Sequence, residues 1–381
     1  MSENQNIQKI YKSIDIYNNG QEFSPKDGER KNFIQNKMMK FFKKVSETIF
    51  FASDNKGIVY YLEFNKDTKT FKITNFDTIC NDSKYILVDI IKSSKFDFYF
   101  SLDLNPCLNI FKIKDDNNNN NNKQEIDIIQ HINLRKKQNN QNKNKYNKIY
   151  EINTNNNDCF ILFGDNIIEL WLINNRNTND IKYEFVQLIH IENLNNENIN
   201  NDFLDSNIIS NIYKKDNENL ILLSLNKFQI INAKILELKS EKNNNAIIPS
   251  IEIDKKANIK AIEGQIEKIN SLFMNKDYIF LGLSDSLVLI SINYAEIIQK
   301  YQIGNVKQMK LTNDKKYVYA FVDKGEGKYF FIKYKFIEYE GLTEEKRMGY
   351  KEWIYKFDVI ESLNVIVIYN IKGFITLLSF D

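Results

Sequence analysis

The sequence is poor in the residues from which many catalytic and metal sites are built. It contains two histidines, His131 and His190, among 381 residues, so His-based triads and His-rich metal sites are nearly excluded. Its three cysteines, Cys80, Cys107 and Cys159, are far apart and form no Cys-x-x-Cys pair. This spacing favours reduced, buried thiols over a disulfide framework or a zinc site. We therefore predict no metal and no cofactor.

Long apolar runs and a strong charge of one sign are also missing. No apolar stretch approaches the roughly 18 to 20 residues that a bilayer-spanning helix needs, and residues 1–8 lack the apolar core of a secretory signal. The formal net charge is +2, which gives no global argument for a nucleic-acid partner. We expect a cytoplasmic or nuclear protein that is neither secreted nor membrane-spanning.

A unit of two short apolar segments joined by a tight turn recurs along the chain. The turns are rich in Asp, Asn, Gly and Ser, which is typical of β-hairpins. The copies lie at residues 49–62, 96–113, 159–173, 220–235, 278–292, 317–336 and 365–380. Their starts are roughly 40 to 60 residues apart, and β-propeller blades repeat at about 40 to 50. Strand-like runs between the hairpins bring each unit to three or four strands, so we predict an all-β, seven-bladed β-propeller.

Polar, Asn-rich segments account for the uneven spacing of the units. We predict that residues 115–148 and 193–206 are low-complexity loop insertions, because such composition cannot build a core. With these set aside, residues 1–381 are interpreted as a single propeller. A two-domain β-sandwich is the structural alternative, and short helices near residues 32–44 or 343–349 are also compatible with the pattern.

The first strand-like segment, residues 10–17, has no hairpin of its own. The last hairpin, in turn, lacks an outer strand. In propellers the two ends of the chain commonly share one blade, which removes an exposed sheet edge. We expect residues 10–17 to pair with the last hairpin.

The hairpins resemble the inner strands of WD-repeat blades, in which an Asp in the turn precedes an apolar strand. Asp54, Asp103, Asp165 and Asp285 stand at that turn position, and Trp171 is the one tryptophan near the place the family expects. The resemblance implies a WD-repeat-like propeller that acts as a scaffold for protein–protein interaction. The two histidines are too few for the hydrogen-bond network in which the family uses His.

A narrower resemblance covers residues 53–60, 87–91 and 98–113. These segments are similar to blades of the non-catalytic WD-repeat subunit of the tRNA 7-methylguanosine methyltransferase. The resemblance implies a methyltransferase catalytic subunit as partner and a role in tRNA modification. The turn Asp103-Leu104-Asn105-Pro106 keeps one carboxylate of that family's motif and lacks its Arg.

Two stretches carry a local excess of basic residues, which could neutralise the phosphates of tRNA. The alternative is a solvated surface in a Lys-rich chain. The candidate contacts to RNA or to a partner are Lys40, Lys43, Lys44, Arg135, Lys136, Lys137, Lys143 and Lys145.

No nucleophile with a general base beside it stands out, and neither does a set of metal-binding side chains. We therefore predict that the protein is not an enzyme. The leading hypothesis is a non-enzymatic scaffold or accessory subunit that binds one or more proteins. The tRNA (guanine-7) methyltransferase subunit is the first alternative. A propeller enzyme with carboxylates lining its channel is the second.

Overall fold

A computed structural model describes most of the chain. The described residues are 10–15, 22–23, 38–76, 86–105, 107–115, 124–134, 146–153, 158–164, 167–175, 181–190, 209–215, 218–225, 229–239, 247–254, 269–275, 277–292, 296–370 and 373–380. Within them the secondary structure is almost entirely β-strand, with turns and one 3₁₀ turn, Glu361–Leu363.

The chain divides into two compact units. The first comprises residues 1–146 and 348–381, and the second comprises residues 147–347. The first unit begins with β1 (Ile10–Asp15), β2 (Glu22–Phe23), β3 (Met39–Lys44), β4 (Ile49–Asp54), β5 (Val59–Asn65), β6 (Thr70–Phe76), β7 (Leu87–Lys92), β8 (Tyr99–Asp103), β9 (Cys107–Asp115) and β10 (Gln124–Asn133).

The second unit is built from sixteen described strands, the first and last of which reach its boundaries. They are β11 (Tyr146–Asn153), β12 (Asp158–Gly164), β13 (Ile167–Asn175), β14 (Ile181–His190), β15 (Ile209–Lys215), β16 (Glu218–Leu225), β17 (Gln229–Lys239), β18 (Ile247–Asp254), β19 (Ser271–Met274), β20 (Tyr278–Gly282), β21 (Ser286–Ser291), β22 (Glu296–Gln302), β23 (Asn305–Leu311), β24 (Tyr317–Asp323), β25 (Tyr329–Ile337) and β26 (Gly341–Tyr350). The chain then returns to the first unit with β27 (Lys356–Ile360), β28 (Val365–Tyr369) and β29 (Phe374–Ser379).

The strands form sheets in which chain neighbours pair. The first unit holds the orders β3-β4-β5-β6, β10-β9-β8-β7 and β2-β1-β29-β28-β27. The second holds β11-β12-β13-β14, β15-β16-β17-β18, β19-β20-β21-β22 and β23-β24-β25-β26. All seven hairpins predicted from the sequence are present. Six are the two middle strands of a four-stranded sheet, and the last, β28–β29, lies inside the five-stranded sheet that β1 and β2 complete.

Burial explains why the middle strands are the most apolar. Every residue of β20 and β21 is buried, whereas the outer strand β22 alternates between exposed and half-buried positions. A strand buried on both faces requires a continuous apolar run, and a half-exposed strand tolerates alternation. In the first unit, aromatic rings fill the space between two sheets: Phe42 of β3 stacks on Tyr369 of β28 with centroids 4.5 Å apart.

The amino-terminal strand pairs with the last hairpin, as predicted. β1 lies antiparallel to β29, with Ile14 opposite Ile375 and Asp15 opposite Phe374. The backbone edge of β29 is therefore covered by a strand from the other end of the chain, which prevents it from acting as an open pairing edge.

Three sequence interpretations need correction. The helices considered near residues 32–44 and 343–349 are wrong where the structure describes them, because β3 and β26 occupy those positions and pair with β4 and β25. Tertiary pairing overrides the local helix preference of these charged stretches. The range 115–148 is not a loop throughout, because β10 forms the outer strand of its sheet and pairs with β9 over nearly its whole length. Residues 193–206 lie outside the described residues.

Candidate functional site

The turn carboxylates that resemble those of WD repeats are structural groups. Asp54 is fully buried, and its Oδ1 accepts hydrogen bonds from the backbone N–H groups of Lys56 at 2.9 Å and Ile58 at 3.0 Å. Its Oδ2 accepts from the hydroxyl of Tyr60 at 3.2 Å. These bonds close the β4–β5 turn by giving a buried carboxylate two backbone amides of the turn as donors.

The same device recurs at other turns with variations. Asp103 Oδ1 accepts from the backbone N–H of Cys107 at 3.1 Å, and Asn370 Oδ1 accepts from that of Phe374 at 3.1 Å. Asp285 differs, because its Oδ1 accepts from the hydroxyl of the adjacent Ser286 at 2.6 Å. This hydrogen bond lowers the pKa of the Asp285 carboxyl, with Lys300 contributing a smaller effect in the same direction. Asp165 lies outside the described residues.

Trp171 occupies a buried position in β13, and its contacts also indicate a structural role. Its indole N–H donates to Glu169 Oε2 at 3.0 Å, and its ring stacks on Phe160 with centroids 5.8 Å apart. Both Trp171 and Glu169 are almost fully buried. The Glu169 carboxylate therefore accepts a hydrogen bond from a residue of its own strand.

Of the predicted basic contacts, the structure describes Lys40, Lys43 and Lys44. Lys40 is exposed. Lys43 Nζ lies 2.6 Å from Asp89 Oδ1, so it joins β3 to β7 of the next sheet. Lys44 Nζ lies 2.9 Å from Glu47 Oε2 and donates to the backbone oxygen of Val359 at 2.5 Å. Arg135, Lys136, Lys137, Lys143 and Lys145 lie outside the described residues.

Glu47 links two sheets of the first unit. Its Oε1 accepts from the backbone N–H of Ser362 at 3.0 Å and from the Ser362 hydroxyl at 2.9 Å. Partial burial acts to raise the pKa of the Glu47 carboxyl, but the hydrogen bonds from Ser362 and Lys44, together with the charge of Lys44, outweigh it, and the pKa is lowered. The ionised form is therefore the one that fits this site.

Each of the three sheets in the first unit has one end strand, β27, β3 or β7, that begins at a common edge. The hydroxyl of Tyr355, just before β27, donates to the backbone oxygen of Lys40 at 2.6 Å. Because Lys43 also reaches Asp89 of β7, the three strands run side by side. The backbone N–H of Leu104 donates to the oxygen of Ile86, just before β7, at 3.1 Å. This fixes the β8–β9 turn at the same edge.

Three large apolar side chains are exposed at this edge. Met38, Leu104 and Trp353 have 43%, 48% and 51% of their surface exposed. Met38 is fixed by two bonds with Asn55 of the β4–β5 turn: Met38 N–H donates to Asn55 Oδ1 at 3.0 Å, and Asn55 N–H donates to the Met38 oxygen at 2.8 Å. We call Met38, Leu104 and Trp353 the apolar rim. This rim was not predicted from the sequence, because each of its residues stands alone in a turn or before a strand.

Among the described residues, no catalytic cluster contains a histidine. His131 is exposed, and its Nδ1 lies 2.6 Å from Asn109 Oδ1. The His190 side chain is outside the described part. Among the residues whose placement is described, no group of three His, Cys, Asp or Glu side chains could hold a metal ion. In the same residues, no helix has the length and apolar character needed to cross a bilayer.

The chain matches no protein-family model and no curated protein. Many solved structures share its fold. It is similar to the WD40 domain of SCAP from fission yeast, with 8% identity and a TM-score of 0.54 over 91% of this chain and 96% of that one. A chain of a mitotic checkpoint complex has 8% identity and a TM-score of 0.53, covering 88% and 85%. A putative 6-phosphogluconolactonase from Bacteroides uniformis has 12% identity and a TM-score of 0.51, covering 87% and 88%.

These similarities, together with the four-stranded antiparallel sheets, confirm the fold class predicted from the sequence. The protein is all-β with a WD-repeat-like β-propeller fold, and the amino-terminal strand completes the sheet of the last hairpin. At such low identity, the likeness concerns the fold alone.

Proposed function

We propose that the protein is a non-enzymatic scaffold or accessory subunit that binds one or more other proteins. The observation that carries this proposal is the apolar rim, in which three large apolar side chains are exposed at one edge of the first unit. Exposed apolar side chains grouped on one surface are typical of protein–protein interaction sites. The similarity to WD40 domains, and to a chain within a multiprotein checkpoint complex, supports a protein-binding role.

The buried carboxylates support the non-enzymatic part of the proposal. Asp54 and Asp103 bind turn amides, Glu169 binds the Trp171 indole, and Asp89 binds Lys43. Each of these groups already has a partner that holds the fold together. The similarity to a putative lactonase keeps an enzyme with channel carboxylates as the alternative. Turnover of a sugar lactone by the purified chain alone would establish that alternative.

A finer candidate is the accessory subunit of a tRNA (guanine-7) methyltransferase. Its support is the similarity of residues 53–60, 87–91 and 98–113 to that family. The basic residues proposed to contact tRNA remain candidates, with one restriction. Lys43 and Lys44 are held by Asp89 and Glu47, so Lys40 is the most accessible of the three described lysines.

The experiment is affinity purification of the tagged full chain from its source cells, followed by quantitative mass spectrometry and reconstitution of each recovered pair. We expect a partner that co-elutes with the purified chain in a fixed ratio on size exclusion. Recovery of a methyltransferase supports the finer candidate, and its absence counts against it. The tag alone is the control. A chain that remains without any stoichiometric partner would contradict the proposal.

A further inference from the structure

The apolar rim distinguishes one strand-end edge from the equivalent edge of another sheet. In the sheet β23–β26, the turn between the two middle strands exposes the charged side chains of Lys324, Glu326 and Lys328. In the first unit, the same kind of edge exposes Met38, Leu104 and Trp353. The first unit thus has large apolar side chains at an edge where the β24–β25 turn has charged ones.

The rim residues are attached to ordered backbone. Met38 and Leu104 are fixed by backbone hydrogen bonds to Asn55 and Ile86, and Trp353 precedes the buried Ile354 and the bonded Tyr355. A partner that covers such side chains loses less conformational freedom than one that must order a mobile loop. Trp is also among the residue types that contribute most to binding at interfaces.

Among the residues whose placement is described, the charges beside the rim are mainly positive. Lys40, Lys56 and Lys351 are exposed close to Met38, Asn55 and Trp353 in the chain, and Glu352 is the exposed acid next to Trp353. The nearby carboxylates of Asp54 and Asp103 are buried and bind turn amides, so they do not offer an exposed negative surface. A surface of this composition complements a negatively charged partner.

The apolar side chains of the rim favour a protein over a nucleic acid as the partner. Single-stranded RNA binds through successive aromatic platforms on which the bases stack. Trp353 is the one aromatic member of the rim, and Met38 and Leu104 are aliphatic. Aliphatic side chains fit an apolar residue of a peptide better than they fit a base.

We propose that the apolar rim, with Lys40, Lys56 and Lys351, binds a short acidic segment of a partner protein whose apolar side chains cover Met38, Leu104 and Trp353. This inference rests on the proposed function and names the surface and the chemistry of the partner.

The test uses the folded full chain and a phage-displayed library of random peptides. We expect enriched peptides to be acidic and to contain a large apolar residue. Their affinity should fall about tenfold in Trp353→Ala, the loss expected for an interface hot spot. It should also fall in the double variant Lys40→Glu and Lys56→Glu. Tyr339→Ala is the matched control, because Tyr339 is 87% exposed and lies in a different turn, and it should leave the affinity unchanged.

Several outcomes would overturn the inference. They are enrichment of neutral or basic peptides, no enrichment, or binding that Trp353→Ala leaves unchanged. Tighter binding of oligouridine than of peptide at the same residues would assign the rim to RNA. A wild-type dimer that dissociates in Trp353→Ala would assign the rim to a second copy of the chain. Circular dichroism establishes that each variant is folded. A cellular partner that binds the rim variants as well as wild type would leave the scaffold proposal intact and refute this one.

Discussion

Replacing Gly341 with Ala should destabilise the protein for two separable reasons. Gly341 has φ +91°, a backbone conformation that costs a residue with a Cβ about 1 to 2 kcal/mol. A Cβ there would also lie only 2.3 Å from Gln299 Oε1, far inside van der Waals contact. The side chain of Gln299 is held in place, because Oε1 accepts from the backbone N–H of Leu342 at 2.7 Å. Displacing it leaves the buried Leu342 amide unpaired.

The expected loss follows from these two effects. An unpaired buried amide costs about 1 to 3 kcal/mol, so together with the backbone strain we expect Gly341→Ala to lower the free energy of unfolding by about 2 to 4 kcal/mol. Urea unfolding monitored by circular dichroism measures it. The double variant with Gln299→Ala removes the clash, so its loss should be smaller than the sum of the two single losses by about 1 kcal/mol or more.

Two other glycines serve as matched controls. Gly325 has φ +82° and open space around its Cβ position, so Gly325→Ala should cost only the backbone strain of about 1 to 2 kcal/mol. Gly349 has open space and no positive φ, and Gly349→Ala should leave stability unchanged or slightly raised. The reasoning is refuted if Gly341→Ala costs no more than Gly325→Ala.

Three further predictions concern the turns, the sheet contacts and the rim. Asp54→Ala should lower the free energy of unfolding by about 2 to 4 kcal/mol in urea, because two backbone amides lose their acceptor, whereas Asp314→Ala, at an exposed turn, should cost less than about 1 kcal/mol. A loss at Asp54 no larger than that at Asp314 would contradict this. Glu47→Gln should be destabilising at neutral pH. Because the folded pKa of Glu47 is lowered, its contribution is complete above the unfolded pKa of about 4.5 and is lost as pH falls through the folded pKa. The stability gap between wild type and Glu47→Gln, measured by urea unfolding across pH, should therefore narrow in acid, and a constant gap would refute the cause. Acrylamide should quench the exposed Trp353 and spare Trp171, so Trp353→Phe should remove most of the quenching, and quenching that persists in this variant would contradict the exposure.

The hairpins could be predicted because their information is local. Two apolar runs with a polar turn between them, such as residues 278–292, specify a pairing partner within a few residues. The turn role of Asp54 could likewise be predicted, since its side-chain hydrogen bonds join residues close to it in the chain, Lys56, Ile58 and Tyr60. The pairing of β1 with β29 connects opposite ends of the chain, but the missing outer strand indicated it.

Other features depend on distant residues and could not be read in this way. Lys43 pairs with Asp89, 46 residues away, and Lys44, besides its nearby partner Glu47, donates to Val359, 315 residues away, so the sequence did not distinguish these lysines from free surface charges. The strand β10 has ten residues within an Asn-rich range, and the average composition of that range concealed it. The apolar rim belongs to three separate segments that strand pairing brings to one edge, and no periodicity in the sequence indicates that arrangement.

The most direct test of the central claim, that a partner protein covers the apolar rim, is the accessibility of Trp353 in the complex. The chain has two tryptophans, and Trp171 is 1% exposed while Trp353 is 51% exposed, so a Trp171→Phe variant reports on the rim alone. We predict that saturation with the co-purifying partner, or with an enriched acidic peptide, lowers the acrylamide quenching of Trp353. Full binding with unchanged quenching would contradict the account.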